Sequence, residues 1–238
     1  MEILYKVISR PGGPVMARTE RRRSEDIRAD VSSQLFWDNR IDDSNIDVDV
    51  TEGRVILSGT VPSYSDRWQA EEDAYSISGV RYVDNRLRVS PTTFPVPNDT
   101  EIASNIRNVL EWNPTIDSSG IDVSVSDGVV TLSGAVDSYW QKTRAGYLVA
   151  NVSGVTDVIN LLRVEPIEKV TDEDLRKNIL TTLARNTFID ADRIDVQVDG
   201  GVVTLAGTVD DYLAYRTAED IARYTNGVID VHNSLVIA

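Results

Sequence analysis

The sequence predicts an α+β protein built from three tandem copies of one small α-β-β-α-β domain, each a three-stranded mixed sheet covered by two helices. Three observations predict it. The stretch Ile121 to Leu162 matches Ile46 to Leu87 after a shift of 75 residues and Ile194 to Leu235 after a shift of 73, both without a gap. Apolar residues change from a spacing of four to a spacing of two at the same point of every copy. Glycines recur where such a unit must turn or stop, at Gly53/Gly128/Gly201, Gly59/Gly134/Gly207 and Gly79/Gly154/Gly227.

The first helix of each copy starts on acids, Ser24-Glu25-Asp26, Asp99-Thr100-Glu101 and Thr171-Asp172-Glu173-Asp174, which suit the positive end of a helix. Its stripe is Ile27, Val31, Leu35, repeated as Ile102, Ile106, Leu110 and as Leu175, Ile179, Leu183. Trp37 and Trp112 close this helix and read as plugs in the core or between units. A polar corner, Asn39 to Asn45, leads into a strand where Ile46, Val48 and Val50 alternate with Asp47 and Asp49. The turn at Gly53 predicts a tight hairpin, and glycine after an acid supplies its positive φ. The return strand is Val55 to Val61, where Gly59 suggests a bulge or a backbone packed on the neighbouring helix.

Pro62-Ser63-Tyr64, Asp137-Ser138-Tyr139 and Asp210-Asp211-Tyr212 start the second helix. Small residues such as Ala70, Ala145 and Ala218 on its inner face let it lie close to the sheet. Gly79, Gly154 and Gly227 stop it. A last strand then runs Val80 to Val89, Val155 to Val164 and Val228 to Ile237. The domains are therefore 24–90, 99–165 and 172–238, joined by connectors 91–98 and 166–171, with a basic arm at 1–23.

Composition narrows the function. The chain has 238 residues, 41% hydrophobic and 26% charged, which is ordinary for a globular, soluble protein. Without cysteine there is no disulfide, thiolate metal site or cysteine nucleophile. The net charge is −14; residues 1–23 carry +4, which leaves −18 on the body. Such a body repels duplex DNA and anionic bilayers at long range, so nucleic acid is not expected as a partner. No apolar run reaches the ~20 residues of a membrane span. Met1 to Ile8 is broken by Glu2 and Lys6 and lacks a signal-peptide core, which predicts the cytoplasm, with the periplasm as the alternative; Met16 is a second candidate start.

The order of elements, the glycine of the second strand, the pairs Gly79-Val80, Gly154-Val155 and Gly227-Val228, and the run Val83-x-Asn85-x-Leu87 resemble the BON domain. The resemblance covers about Ser24 to Ala238 in three copies. It implies a non-enzymatic module of the kind found in bacterial osmotic-stress proteins, in outer-membrane lipoproteins that bind anionic phospholipid, in pore-associated proteins and in a cytoplasmic potassium-binding protein. It carries no shared catalytic residues and no cofactor.

The residues themselves agree with a non-enzyme. His232 is the single histidine and alternates out of phase with Val231 and Leu235, as an exposed strand residue does. A general base needs an oriented partner and a nucleophile, and no copy keeps such a set. Asp190-x-Asp192-x-x-Asp195, with Asp42-Asp43 and Asp117 at equivalent places, lacks the mid-loop glycine and closing glutamate of a calcium hand. These acids read as corner residues that bond their own backbone, with a weak potassium site as the alternative.

The outward face of the second helix sets bases beside aromatics: Arg67-Trp68, then Trp140, Lys142 and Arg144, then Tyr215-Arg216 with Arg223-Tyr224. Those residues are the expected contacts to an anionic phospholipid surface or a protein partner. Packing between neighbouring units is the competing use of the same side chains. The sequence thus predicts a stress-associated binding or scaffold protein, with potassium binding or osmotic sensing as the alternative.

Overall fold

The structure is a computed structural model that describes residues 22–91, 95–167 and 170–237. Most of the basic arm, both candidate start methionines and residues 92–94 and 168–169 of the connectors lie outside these residues. The first repeat is α1 (Ser24–Trp37), β1 (Ile46–Thr51), β2 (Arg54–Val61), α2 (Tyr64–Ser76) and β3 (Tyr82–Val89). The second is α3 (Asp99–Glu111), β4 (Ile121–Ser126), β5 (Val129–Val136), α4 (Tyr139–Ala150), β6 (Asp157–Asn160) and β7 (Arg163–Val164). The third is α5 (Asp172–Arg185), β8 (Ile194–Asp199), β9 (Val202–Val209), α6 (Tyr212–Arg223) and β10 (Asp230–Ile237).

In each repeat the second strand is central, antiparallel to the first and parallel to the last, so the sheets are mixed. The parallel return is possible because the second helix carries the chain back across the sheet. The last strand of the second repeat is interrupted at Leu161-Leu162, yet its register to β5 continues from Leu132↔Asn160 to Ala135↔Arg163. Val80, Val155 and Val228, expected to open the last strands, lie before them and are buried at the turn.

Each repeat has its own core. The helix-one stripes are buried in all three copies, and Leu57, Leu132 and Leu205 of the central strands are fully enclosed beneath them. Each such side chain contributes ~1.5–3 kcal/mol of burial, which a lone domain of this size needs. Among the described residues no helix is long and apolar enough to cross a membrane.

Polar side chains fix the elements to one another. The helix-one acids reach beyond their own helix: the Asp99 carboxylate accepts from the amides of Asp127 and Gly128, and Asp172 from those of Gly200 and Gly201, all at 2.9 Å. They hold the hairpin tip against the helix start, while capping itself falls to Asn98 and Thr171. The recurrent asparagine is a second staple. Asn85 donates to the Arg67 carbonyl and accepts from the Leu87 amide, and Asn160 does the same with Lys142 and Leu162. The last strand is thereby tied to the second helix.

The glycine of the central strand corrects the expectation of a neighbouring helix. Gly59, Gly134 and Gly207 have φ of +116°, +108° and +128°, and a Cβ there would come within 1.9–2.0 Å of the carbonyl of Asn45, Gly120 or Arg193. The crowding atom is the carbonyl just before the first strand, and only glycine allows that approach. Gly134→Ala should lower stability by roughly 2–3 kcal/mol, from strained φ and displaced backbone together. Urea denaturation followed by far-UV circular dichroism measures it, and a loss under about 0.5 kcal/mol, within ordinary surface-substitution scatter, contradicts the close approach.

Candidate functional site

The second helix α2 packs against both α4 and α6, and the outward faces of the three second helices make the junctions between repeats. From the first repeat to the second, Trp68 packs edge-on to Tyr147 at 5.5 Å between ring centroids, and Arg67 pairs with Asp157 at 3.6 Å. From the second to the third, the Arg223 guanidinium lies 4.9 Å from the Tyr139 ring centroid. From the third back to the first, Tyr212 stacks on Tyr75 at 3.9 Å, nearly parallel at 9°, and Arg216 pairs with Glu72 at 3.5 Å.

Equivalent positions make equivalent contacts. Tyr139 against Arg223 and Tyr212 against Tyr75 use the same two places of the repeat, as do Trp68 against Tyr147 and Arg216 against Glu72. Each repeat therefore offers one side to the next and receives the previous one on the other. After three steps the contact closes into a ring with a pseudo-threefold axis.

The residues expected to touch lipid or a partner fall mostly in this hub. Arg67, Trp68, Arg216 and Arg223 bridge repeats. Lys142 sits over the ring of Tyr139, Arg144 over that of Tyr147, and Tyr215 stacks on Tyr212. Trp140 stands apart from them and is 42% exposed. Arg223 also pairs with the buried Glu219 at 2.6 Å. Burial pushes the Tyr212 hydroxyl well above its ordinary range and raises the Glu72 carboxyl, which Arg216 opposes.

The helix-one tryptophans are not plugs. Trp37 and Trp112 are 77% and 78% exposed. Trp37 lies two residues beyond Leu35, about 200° around the helix from the buried stripe, and so faces water. Phe36, in edge contact with Trp37, and Phe188 are exposed at the same end of their repeats and carried no earlier signal. These aromatic corners recur at the end of the first helix in all three repeats.

The corner acids hold their own chain. Asp42 accepts from the Ser44 hydroxyl at 2.6 Å and amide at 3.2 Å, and Asp117 accepts from Ser119 at 2.6 and 3.0 Å, which holds both carboxyls below their ordinary range. Among the described residues no three His, Asp or Glu side chains converge on one point. His232 is exposed on β10. Two buried acids were absent from the expectations: Glu219 of α6, which pairs with Arg223, and Asp73 of α2, at the place held by Leu148 and Ile221 in the other copies.

A closed ring of small helix-on-sheet modules, tied through their second helices, places the protein among tandem-repeat α+β proteins. The profile of the BON domain matches residues 23–91, 98–166 and 171–238, and the chain belongs to the BON domain family. Osmotically-inducible protein Y of Escherichia coli (strain K12) is 31% identical over 144 residues, 58% of this chain and 72% of that protein. An uncharacterized protein in the gshII 5′ region of Anaplasma centrale is 33% identical over 125 residues, 51% of this chain and 83% of its own. The C-terminal domain of CdsD, a structural protein of the type III secretion system of Chlamydia trachomatis, is 18% identical with a TM-score of 0.26, covering 90% of this chain and 98% of that domain.

Ring closure predicts energetic coupling between residues far apart in sequence. In a double-mutant cycle of Tyr75→Ala and Tyr212→Ala, the two losses should be coupled by ~0.5–1.5 kcal/mol, the worth of a stacked aromatic pair. Urea denaturation of the four proteins measures it, and simple additivity means that the third repeat does not rest on the first.

Proposed function

We propose that this protein is a non-enzymatic scaffold of the osmotic-stress class, whose ring of three modules presents its exposed aromatic corners to a protein partner. One observation carries the reading: Phe36, Trp37, Trp112 and Phe188 stand in water at the ends of the first helices, outside the contacts that join the repeats. Exposed aromatics in such number favour binding, since they cost solubility and add nothing to the cores. The osmotic-stress assignment rests on the name of the Escherichia coli relative and on family membership.

An anionic phospholipid surface is the second reading, supported by Trp140, Lys142 and Arg144 beside one another on α4. It is weakened by the engagement of Arg67, Arg216 and Arg223 with Asp157, Glu72 and Glu219, because a base already paired has less to give a phosphate. A potassium ion would have to use carboxylates such as Asp42 and Asp117, which already accept from neighbouring serines. Calorimetric titration with potassium, sodium and calcium chlorides tests that alternative. Osmotic-shock fractionation separates the cytoplasmic placement from the periplasmic one.

A photo-crosslinking residue placed at Trp37, Trp112 or Phe188 in osmotically stressed cells should capture the same protein at more than one of the three positions. Capture at none, together with pelleting of the purified protein by phosphatidylglycerol vesicles that is lost on Trp140→Ala/Lys142→Ala/Arg144→Ala substitution, reverses the choice between partner and lipid.

A further inference from the structure

The hub has one polar irregularity. Where α4 and α6 carry Leu148 and Ile221, α2 carries Asp73, only 5% exposed. The residue that follows α1 is Asp38, replaced in the other copies by Asn113 and Asn186, and its side chain is 7% exposed. The first repeat thus encloses two carboxyl groups where the others carry a half-buried amide and a half-buried aliphatic chain, and the two groups face one another within hydrogen-bonding reach.

The surrounding groups define the charge state. From α2, Gln69 Nε2 donates to Asp73 Oδ1 at 3.1 Å. From the corner after α1, Arg40 donates its Nε to both Asp38 oxygens at 2.9 and 3.0 Å. On α4, in the neighbouring repeat, Arg144 lies over the Tyr147 ring. Asp73 Oδ2 is left buried with no donor. Two ionised carboxylates have no hydrogen to share, so the contact between Asp38 and Asp73 is satisfied only when one of them is protonated. Arg40 stands against Asp38, which assigns the charge to Asp38 and the proton to Asp73.

We propose that Asp38 and Asp73 form a proton-held latch that fastens the end of α1 to α2 beside the second repeat, closed while the pair keeps its proton and loosened when the proton leaves. The fastened segment includes Arg40 and the exposed Phe36–Trp37 pair. Loss of the proton places two negative charges in one buried site against a single guanidinium, and the segment that can relieve them is the corner from Asp38 to Ile41, which carries the aromatic pair with it.

The pH window follows from the two carboxyls. Hydrogen bonds from Arg40 hold Asp38 at about 2, whereas burial raises Asp73 to about 6. The raised group favours the folded latch fully below its unfolded value of ~4, and this contribution is lost as pH rises through about 6. The lowered group contributes above ~4 and is lost as pH falls through about 2. Closure therefore weakens roughly 30-fold between pH ~4 and pH ~7.

The test is made on the full chain. Carbon-13 spectra of the aspartate carboxyls should show one group titrating near pH 6, and it should disappear in Asp73→Asn. Amide exchange of residues 36–41, corrected for intrinsic rates, should rise at least tenfold from pH 5 to pH 7.5 in the wild type. It should stay flat in Asp73→Leu, which copies the second repeat. An Asp73 carboxyl that titrates below pH 5 overturns the latch even if both variants fail to fold. Exchange at 36–41 that ignores pH in the wild type, or that keeps its dependence in folded Asp73→Leu, overturns it equally.

Discussion

Each second helix has to bury two sides at once, one on its own sheet and one on the next repeat, and the rest of the molecule follows from that double demand. Ala70, Ala145 and Ala218 are fully buried on the sheet side, where small side chains allow close approach. The opposite side carries long ones: Tyr64, Tyr139 and Tyr212 at the helix starts, then Trp68, Tyr147 and Arg216. Such side chains can leave water only if another helix comes to them. A pair of repeats would satisfy one junction and leave two half-faces open, whereas three close the set.

Within a repeat, polar staples transmit the position of the sheet to the hub. Asn85 and Asn160 fix the last strand to a carbonyl of the second helix, so a shift of the strand moves Arg67 or Lys142 directly. Between repeats the ion pairs matter less than the rings. Arg216 and Glu72 keep about a third of their side-chain surface in water, and Arg67–Asp157 is more open still, which limits each pair to ~1 kcal/mol or less. Stacking of Tyr75 on Tyr212 and the edge contact of Trp68 with Tyr147 are worth ~0.5–1.5 kcal/mol each beyond the area they bury, and they set the geometry that the charges then decorate.

The repeat, its element order and its cores were legible because they depend on spacing, and spacing is what a sequence displays. The hub residues were legible as a set of aromatics beside bases, but their destination depends on how one repeat sits on another, which no period of two or four encodes. Trp37 and Trp112 were misplaced for a local reason: their size suggested burial, while counting residues from Leu35 would have put them on the wet side of the helix. Asp73 had a signal that was passed over. Aligning the copies sets it against Leu148 and Ile221, and an acid at a place where its counterparts are aliphatic marks a buried charge in need of an account.

The copies differ most where they touch, and the differences fix their order. The helix-start tyrosines are the same in all three, but what they meet is Tyr75 for Tyr212 and Arg223 for Tyr139, with Ala150 at the matching place in the second repeat. Consider the first repeat of one chain docking on the first repeat of another in this geometry. Trp68 would then cover Glu72 in place of Arg216, and a carboxyl whose charge is already opposed by burial would lose its only guanidinium partner. Covering that carboxyl with an indole and no guanidinium removes water from it without replacing the lost partner, which disfavours the pairing. The same three folds written with identical hub residues would accept any neighbour; written as they are, the third repeat is matched to a first repeat.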